Sequence, residues 1–235
     1  MTISDRETCT DTAPLIDFAL RGLANCWMPD GQGQGLFSYS YSLDEQSAGN
    51  RSQHNHDAFN TLNVLLGFSQ LTNNSNYDAA LAYDIPGIFE KAAGALPQVT
   101  GRSVPPYTFG MALWAGAELQ LPLPGPCHAA VDALLEDETR WQTFTAQDTA
   151  MLLSGCIAQA RLETRPWSNR AERLHSFIMT HFDCPQSGLF FNNVQGYRRR
   201  FSSFATMTYM SLALLHYSEW RGHEDSIKRA LRVDP

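Results

Sequence analysis

The chain has 235 residues, of which 43% are hydrophobic and 17% charged, and a formal net charge of -7. The apolar content excludes a disordered chain, and the acidic balance excludes a nucleic-acid binder, whose phosphate contacts need clustered Lys and Arg. So little charge over this length predicts one domain in which some helices are enclosed on most sides.

Residues 1–14 are polar, without the apolar core of a signal segment, and no later stretch approaches the ~18 continuous apolar residues of a membrane span. The sequence therefore reads as a cytoplasmic protein with no membrane span: a single domain over 1–235, in which residues 1–12 are expected to be flexible. Cys9, Cys26, Cys127, Cys156 and Cys184 are odd in number and show no C-x-x-C spacing, which points to reduced structural thiols.

In chain order, Ile16, Leu20, Leu23 and Trp27 recur at helical spacing opposite Asp17 and Arg21, predicting a surface helix over Ala13–Trp27. The alternation in 36–43 suggests a strand or a hairpin arm. The run from Asp57 to Leu71 has no charge after its first residue and predicts an enclosed helix. Tyr77–Leu96 is polar-faced, with Pro86 and Gly87 expected to kink or split it, and Tyr107–Leu121 is again nearly uncharged. Two further pairs repeat the order: Cys127–Glu138 with Thr145–Ala160, and Ser168–Phe182 with Ser203–Ser218, Ser168 being the expected N-cap. A short charged helix over 223–232 follows. The triplet GLF occurs at 35–37 and 188–190, each time ahead of an enclosed helix.

The connections leading into the enclosed helices (28–56, 97–106, 183–202) are long and rich in Gly, Pro, Ser and Asn, whereas those leaving them are short. Stacked hairpins would gather the long loops, and the N-termini of the inner helices, on one rim. Loops of this size on a rigid scaffold commonly carry function.

The inner segments HDAFNTLNVLLGFSQL, PYTFGMALWAGAEL, TAQDTAMLLSGCIAQA and SSFATMTYMSLALL, with their GLF-type loops, resemble in architecture the (α/α) toroids. That superfamily includes six-hairpin glycosidases, sugar epimerases of the N-acylglucosamine type and terpenoid cyclases. The resemblance implies an all-α fold of helical hairpins in a toroid or partial toroid, about four hairpins plus a C-terminal helix. It implies a protein that hydrolyses, epimerises or binds a sugar or glycoconjugate at the loop rim. A closed ring of this kind has six hairpins, so a protein partner or a second copy completing it stays open, as does a non-catalytic assembly domain presenting a concave helical surface.

The chemistry-bearing residues of the rim are His54, His56, Asp57 and Asp148 as acids and bases, and Arg51, Asn60, Tyr107, Trp141 and Gln147 as sugar-binding groups. An acid and a base there could serve proton transfer or glycosidic cleavage. Asp57 and Asp148 also sit where a helix dipole or a capping box with Thr145 favours a carboxylate on structural grounds alone. No cofactor is called for, and the His54/His56 spacing matches no metal motif. The run Arg198–Arg200 precedes the last inner helix and reads as a solvated loop charge run or an anion grip.

Overall fold

The structure, a computed structural model, describes residues 13–29, 35–38, 40–42, 49–51, 54–71, 82–98, 104–162, 166–184 and 186–231, with the backbone alone at 13, 40–42, 49–51, 54–56 and 200. Residues 1–12, and the part of the Tyr77–Leu96 expectation that falls on 77–81, lie outside the described residues.

The described helices are α1 (Ala13–Cys26), α2 (His54–Ser69), α3 (Ile85–Ala95), α4 (Pro106–Glu118), α5 (Gly125–Glu136), a four-residue α6 (Glu138–Trp141), α7 (Ala146–Leu162), α8 (Pro166–His181), α9 (Phe204–Arg221) and α10 (Glu224–Leu231). The inner helices α2, α4, α7 and α9 pack in succession, each on the next, and α10 packs on α9. Along the two central inner helices the absence of charge becomes burial nearly all round: from Ala146 to Ala160 only Gln147 and Gln159 escape full burial, and Thr108–Leu113 is buried without interruption. The flanking α2 and α9 keep more exposed positions, including Asn63, Gly67 and Thr208.

The central pair touches backbone to backbone. A Cβ on Gly110 would lie 2.4 Å from the carbonyl carbon of Met151, and one on Gly155 would lie 2.4 Å from the carbonyl oxygen of Gly110. Gln159 Nε2 then donates to the carbonyl of Leu113 at 2.8 Å, tying α7 to α4 one turn further on. The outer layer is joined by charge: Arg170 on α8 meets Asp132 on α5 at 2.8 Å, and Arg173 meets Glu138 at 2.6 Å.

Local chemistry sets the helix ends, and it corrects two expectations. Pro86 does not kink a long helix; it stands in the first turn of α3, where its missing N–H costs nothing, and Asp84 caps that turn by accepting from the Gly87 N–H at 3.2 Å. Ser168 is not an N-cap, because α8 already begins at Pro166. Ser203 does cap α9, accepting from the Thr206 N–H at 3.1 Å, and Gly222, left-handed at φ 67°, ends it.

Among the described residues, six short strands lie in the long connections. β1 (Trp27–Pro29) pairs with β2 (Gly35–Phe37), β3 (Ser40–Ser42) with β4 (Gly49–Arg51), and β5 (Asp183–Cys184) with β6 (Leu189–Phe190), all antiparallel. At two or three residues they are too short to show a period, which is why only the 36–43 segment stood out in the sequence. The two GLF triplets occupy corresponding places. Each ends the second strand of a hairpin that follows an outer helix. The residue after each Phe donates back to the end of the preceding outer helix: Ser38 N–H to the carbonyl of Cys26, the last residue of α1, at 2.8 Å, and Phe191 N–H to that of Phe182, one residue past α8, at 2.9 Å.

Candidate functional site at the inner-helix N-termini

Thr145 and Asp148 form a capping box at the start of α7. Asp148 Oδ2 accepts from the Thr145 N–H at 2.8 Å and from its hydroxyl at 2.7 Å, and the Asp148 N–H donates to Thr145 Oγ1 at 3.2 Å. The other carboxylate oxygen reaches a different helix, accepting from the Tyr107 N–H in the first turn of α4 at 3.0 Å. Asp148, 6% exposed, thus satisfies orphan donors at two helix starts at once.

Tyr107 is where the arc converges. Its ring packs edge-on against Phe59 of α2, with centroids 5.0 Å apart. Its phenol is held above the ordinary tyrosine value by burial first, then by the Asp148 carboxylate and by Tyr209 of α9. The opening turns of α2, α4, α7 and α9 therefore meet around one half-buried phenol, with Tyr209, also half-buried, on the far helix. Sequence reading passed over Tyr209 and Phe59. For Tyr209 the available signal was a polar-tipped aromatic in the first two turns of an otherwise apolar inner helix; Phe59 offered none.

Three buried polar atoms on or beside these turns make no hydrogen bond to another described group: Asn60 Nδ2, Thr108 Oγ1 and Ser202 Oγ. Buried polar groups are ordinarily paired, so such atoms mark places for water or a ligand.

The remaining predicted residues divide. Gln147 is half-buried in the first turn of α7. Asp57 is in the first turn of α2 at only 1% exposure, so it is sealed from bulk solvent. His54 and His56 begin α2 and Arg51 ends β4, but their side chains lie outside the described residues. Trp141 does not serve as a sugar platform. It is 1% exposed, its indole donates to Leu134 O at 2.9 Å, and its ring meets Phe177 edge-on, all within the layer between α5, α6 and α8. Arg198 and Arg199 stand exposed on the 3-10 turn before α9, beside Tyr197 at 76% exposure. No described helix is long and apolar enough to cross a membrane.

No protein-family profile and no curated protein matches the chain. Solved structures do. An inactive variant of an α-1,6-mannanase of Salegentibacter sp. HEL1_6, with two adjacent aspartates replaced, in complex with α-1,6-mannotetrose, superimposes with TM-score 0.62 at 14% identity over 94% of this chain and 68% of that one. A second inactive variant of the same enzyme, in complex with α-1,6-mannotriose, gives TM-score 0.62 and 14% identity over 96% and 71%. A family 76 glycoside hydrolase from a bovine Bacteroides thetaiotaomicron strain gives 0.58 and 10% over 92% and 55%. At such identities the likeness concerns the path of the chain: this protein is built as an (α/α) toroid, the fold of the family 76 glycoside hydrolases.

Proposed function

We propose that the opening turns of the inner helices bind an oligosaccharide, centred on Tyr107 and Tyr209. The observation that carries this reading is the meeting of four inner helices around the Tyr107 phenol, with unpartnered buried polar atoms at Asn60, Thr108 and Ser202 on or beside the same turns. Tyrosine offers a sugar ring an apolar face and a polar edge together, and a few convergent polar groups in a concave site fix orientation. The shared fold with a mannanase held in complex with α-1,6-mannooligosaccharides makes that glycan the first ligand to test.

Binding is favoured over cleavage by the state of the acids. Glycosidic hydrolysis uses two carboxylates about 5 to 9.5 Å apart that both reach the scissile bond. Asp148 has both oxygens committed to N–H and O–H donors of its own chain, and Asp57 is sealed. The mannanase variants are inactive with two adjacent aspartates replaced, and no two aspartates are adjacent in these 235 residues. Titrating α-1,6-mannotriose into the full chain tests the proposal. Saturable binding that Tyr209→Ala weakens at least tenfold supports it, and no heat or shift at about 10 mM ligand rejects it. Release of reducing ends in the same samples would move the reading to hydrolysis.

A second reading has its own observation. Leu15 and Phe18 on α1 are 67% and 71% exposed, a place for a protein partner or a second copy. Sedimentation of the full chain over a concentration range separates it from the first.

A further inference from the structure

A second space opens at the other end of the arc. Side chains from all four inner helices line a cavity of about 570 Å³, among them Trp114 and Glu118 of α4, Ser154 and Arg161 of α7, and His216 and Glu219 of α9. At 1.5 Å per residue, six or seven residues of helix separate Trp114, Ser154 and His216 from Tyr107, Asp148 and Tyr209, about 9–10 Å, and ten to thirteen separate Glu118, Arg161 and Glu219 from them, about 15–20 Å. It is therefore not part of the proposed sugar site.

The cavity is organised. The Trp114 indole donates to Glu118 Oε1 at 3.2 Å, which holds that carboxylate beside the ring. The His216 ring meets Trp114 edge-on at 4.8 Å, and its Nδ1 lies 3.2 Å from the buried Ser154 hydroxyl. Arg161 and Glu219 form an ion pair at 3.3 Å across from it. Burial holds the His216 imidazole below its ordinary value; Glu219 and Glu118 oppose that shift and Arg161 adds to it, so these charged groups face one imidazole that is neutral at pH 7.

The sign of the field is one-sided. The mouth lies at the last turns of four parallel inner helices, where the macrodipoles place their negative ends and where Lys or Arg is the stabilising choice. The last turns of α2 and α4 contain no basic residue, and α4 ends on Glu118 itself. Arg161 is spent on Glu219, and Arg221 at the end of α9 is paired with Glu172. The Glu118 carboxylate is thus held at a helix C-terminus by an indole, and no ion pair joins it to a cation among the described residues.

We propose that this cavity binds a small organic cation through a protonated amine that pairs with the Glu118 carboxylate, on the oxygen the indole leaves free, and lies over the face of the Trp114 ring. The amine gains a charge-assisted hydrogen bond and the ring's attraction for cations, and the His216 imidazole, held low by burial, adds no competing positive charge. The shared chemistry is a primary ammonium on either an aliphatic polyamine or an amino sugar.

Calorimetric titration of the full chain with spermidine and with glucosamine, and with glucose as the uncharged counterpart of the latter, tests this. Binding of either amine, with glucose silent and affinity falling as salt rises, supports the proposal and identifies the source. Glu118→Gln should weaken the amine about tenfold or more with an unchanged melting temperature, because Glu118 is exposed and the indole bond survives in the amide. Arg161→Ala, on the opposite wall, should tighten it several-fold by removing the competing cation, an effect of a sign that structural damage would not produce. Tyr209→Ala should leave amine binding untouched, which keeps this test separate from that of the sugar site. Absence of binding by both amines, equal binding of glucose and glucosamine, or an unchanged affinity in Glu118→Gln would overturn it.

Discussion

Asp148 accepts the backbone N–H of Tyr107, 41 residues earlier in the chain, with one carboxylate oxygen while the other closes a capping box with Thr145. The two central inner helices are thereby pinned together at their N-termini by a single side chain. Asn at this position can offer only one oxygen, so an NH2 group must face either the Tyr107 N–H or the two Thr145 donors. Asp148→Asn is therefore expected to lose about 2 kcal/mol, within the cost of leaving a buried donor unsatisfied, and about 4–8 °C in melting temperature. Thermal unfolding followed by circular dichroism checks it, and an unchanged midpoint would show that the cross-helix bond contributes nothing.

Close backbone approach makes a second site sensitive. Because a Cβ on Gly155 would fall 2.4 Å from Gly110 O and 2.7 Å from Leu113 Cβ, Gly155→Ala must push α7 away from α4. The expected cost is about 3 kcal/mol, at the upper end of ordinary overpacking, or about 6–12 °C. Gly67 has open space at the corresponding position of a built Cβ, so Gly67→Ala should be neutral or slightly stabilising and serves as the control.

The inner and outer roles of the helices could be read from the sequence because burial all round excludes charge: Tyr107–Leu121 and Thr145–Ala160 carry almost none, and α4 and α7 are the most enclosed elements. The Thr145–Asp148 box was visible as a three-residue spacing. Its link to Tyr107 was not, since local pattern holds no information about a partner 41 residues away. Trp141 shows the same limit: an aromatic in a short loop helix reads alike whether it faces a cleft or, as here, Leu134 O and Phe177. At Pro86 the local signals conflict. Asp84 two residues before it carried the start signal, and the apolar positions upstream outweighed it.

The last prediction concerns acid. His175 of α8 lies flat on Tyr217 of α9, with centroids 3.7 Å apart and planes 4° from parallel, and its Nε2 is 2.9 Å from the Ser226 hydroxyl of α10. His223, in the turn between α9 and α10, stands edge-on to it at 5.4 Å and shares the same serine. Burial pushes the His175 imidazole down to about 4, and His223 adds to the shift. Between the ordinary histidine value near 6.5 and about 4, the unfolded chain therefore binds a proton that the folded protein refuses. Stability rises with pH across that window; the contribution is fully present above about 6.5, is lost as pH falls, and levels off below about 4 at a total of up to about 3 kcal/mol. His216, also held low by burial, acts with the same sign. Urea unfolding at pH 7.5 and 4.5 should show the loss in the unaltered protein. His175→Gln, whose amide can still reach Ser226, should be less stable at pH 7.5 and lose markedly less on acidification. An identical pH dependence in the two proteins would mean that the histidine joining α8, α9 and α10 is not the group that titrates.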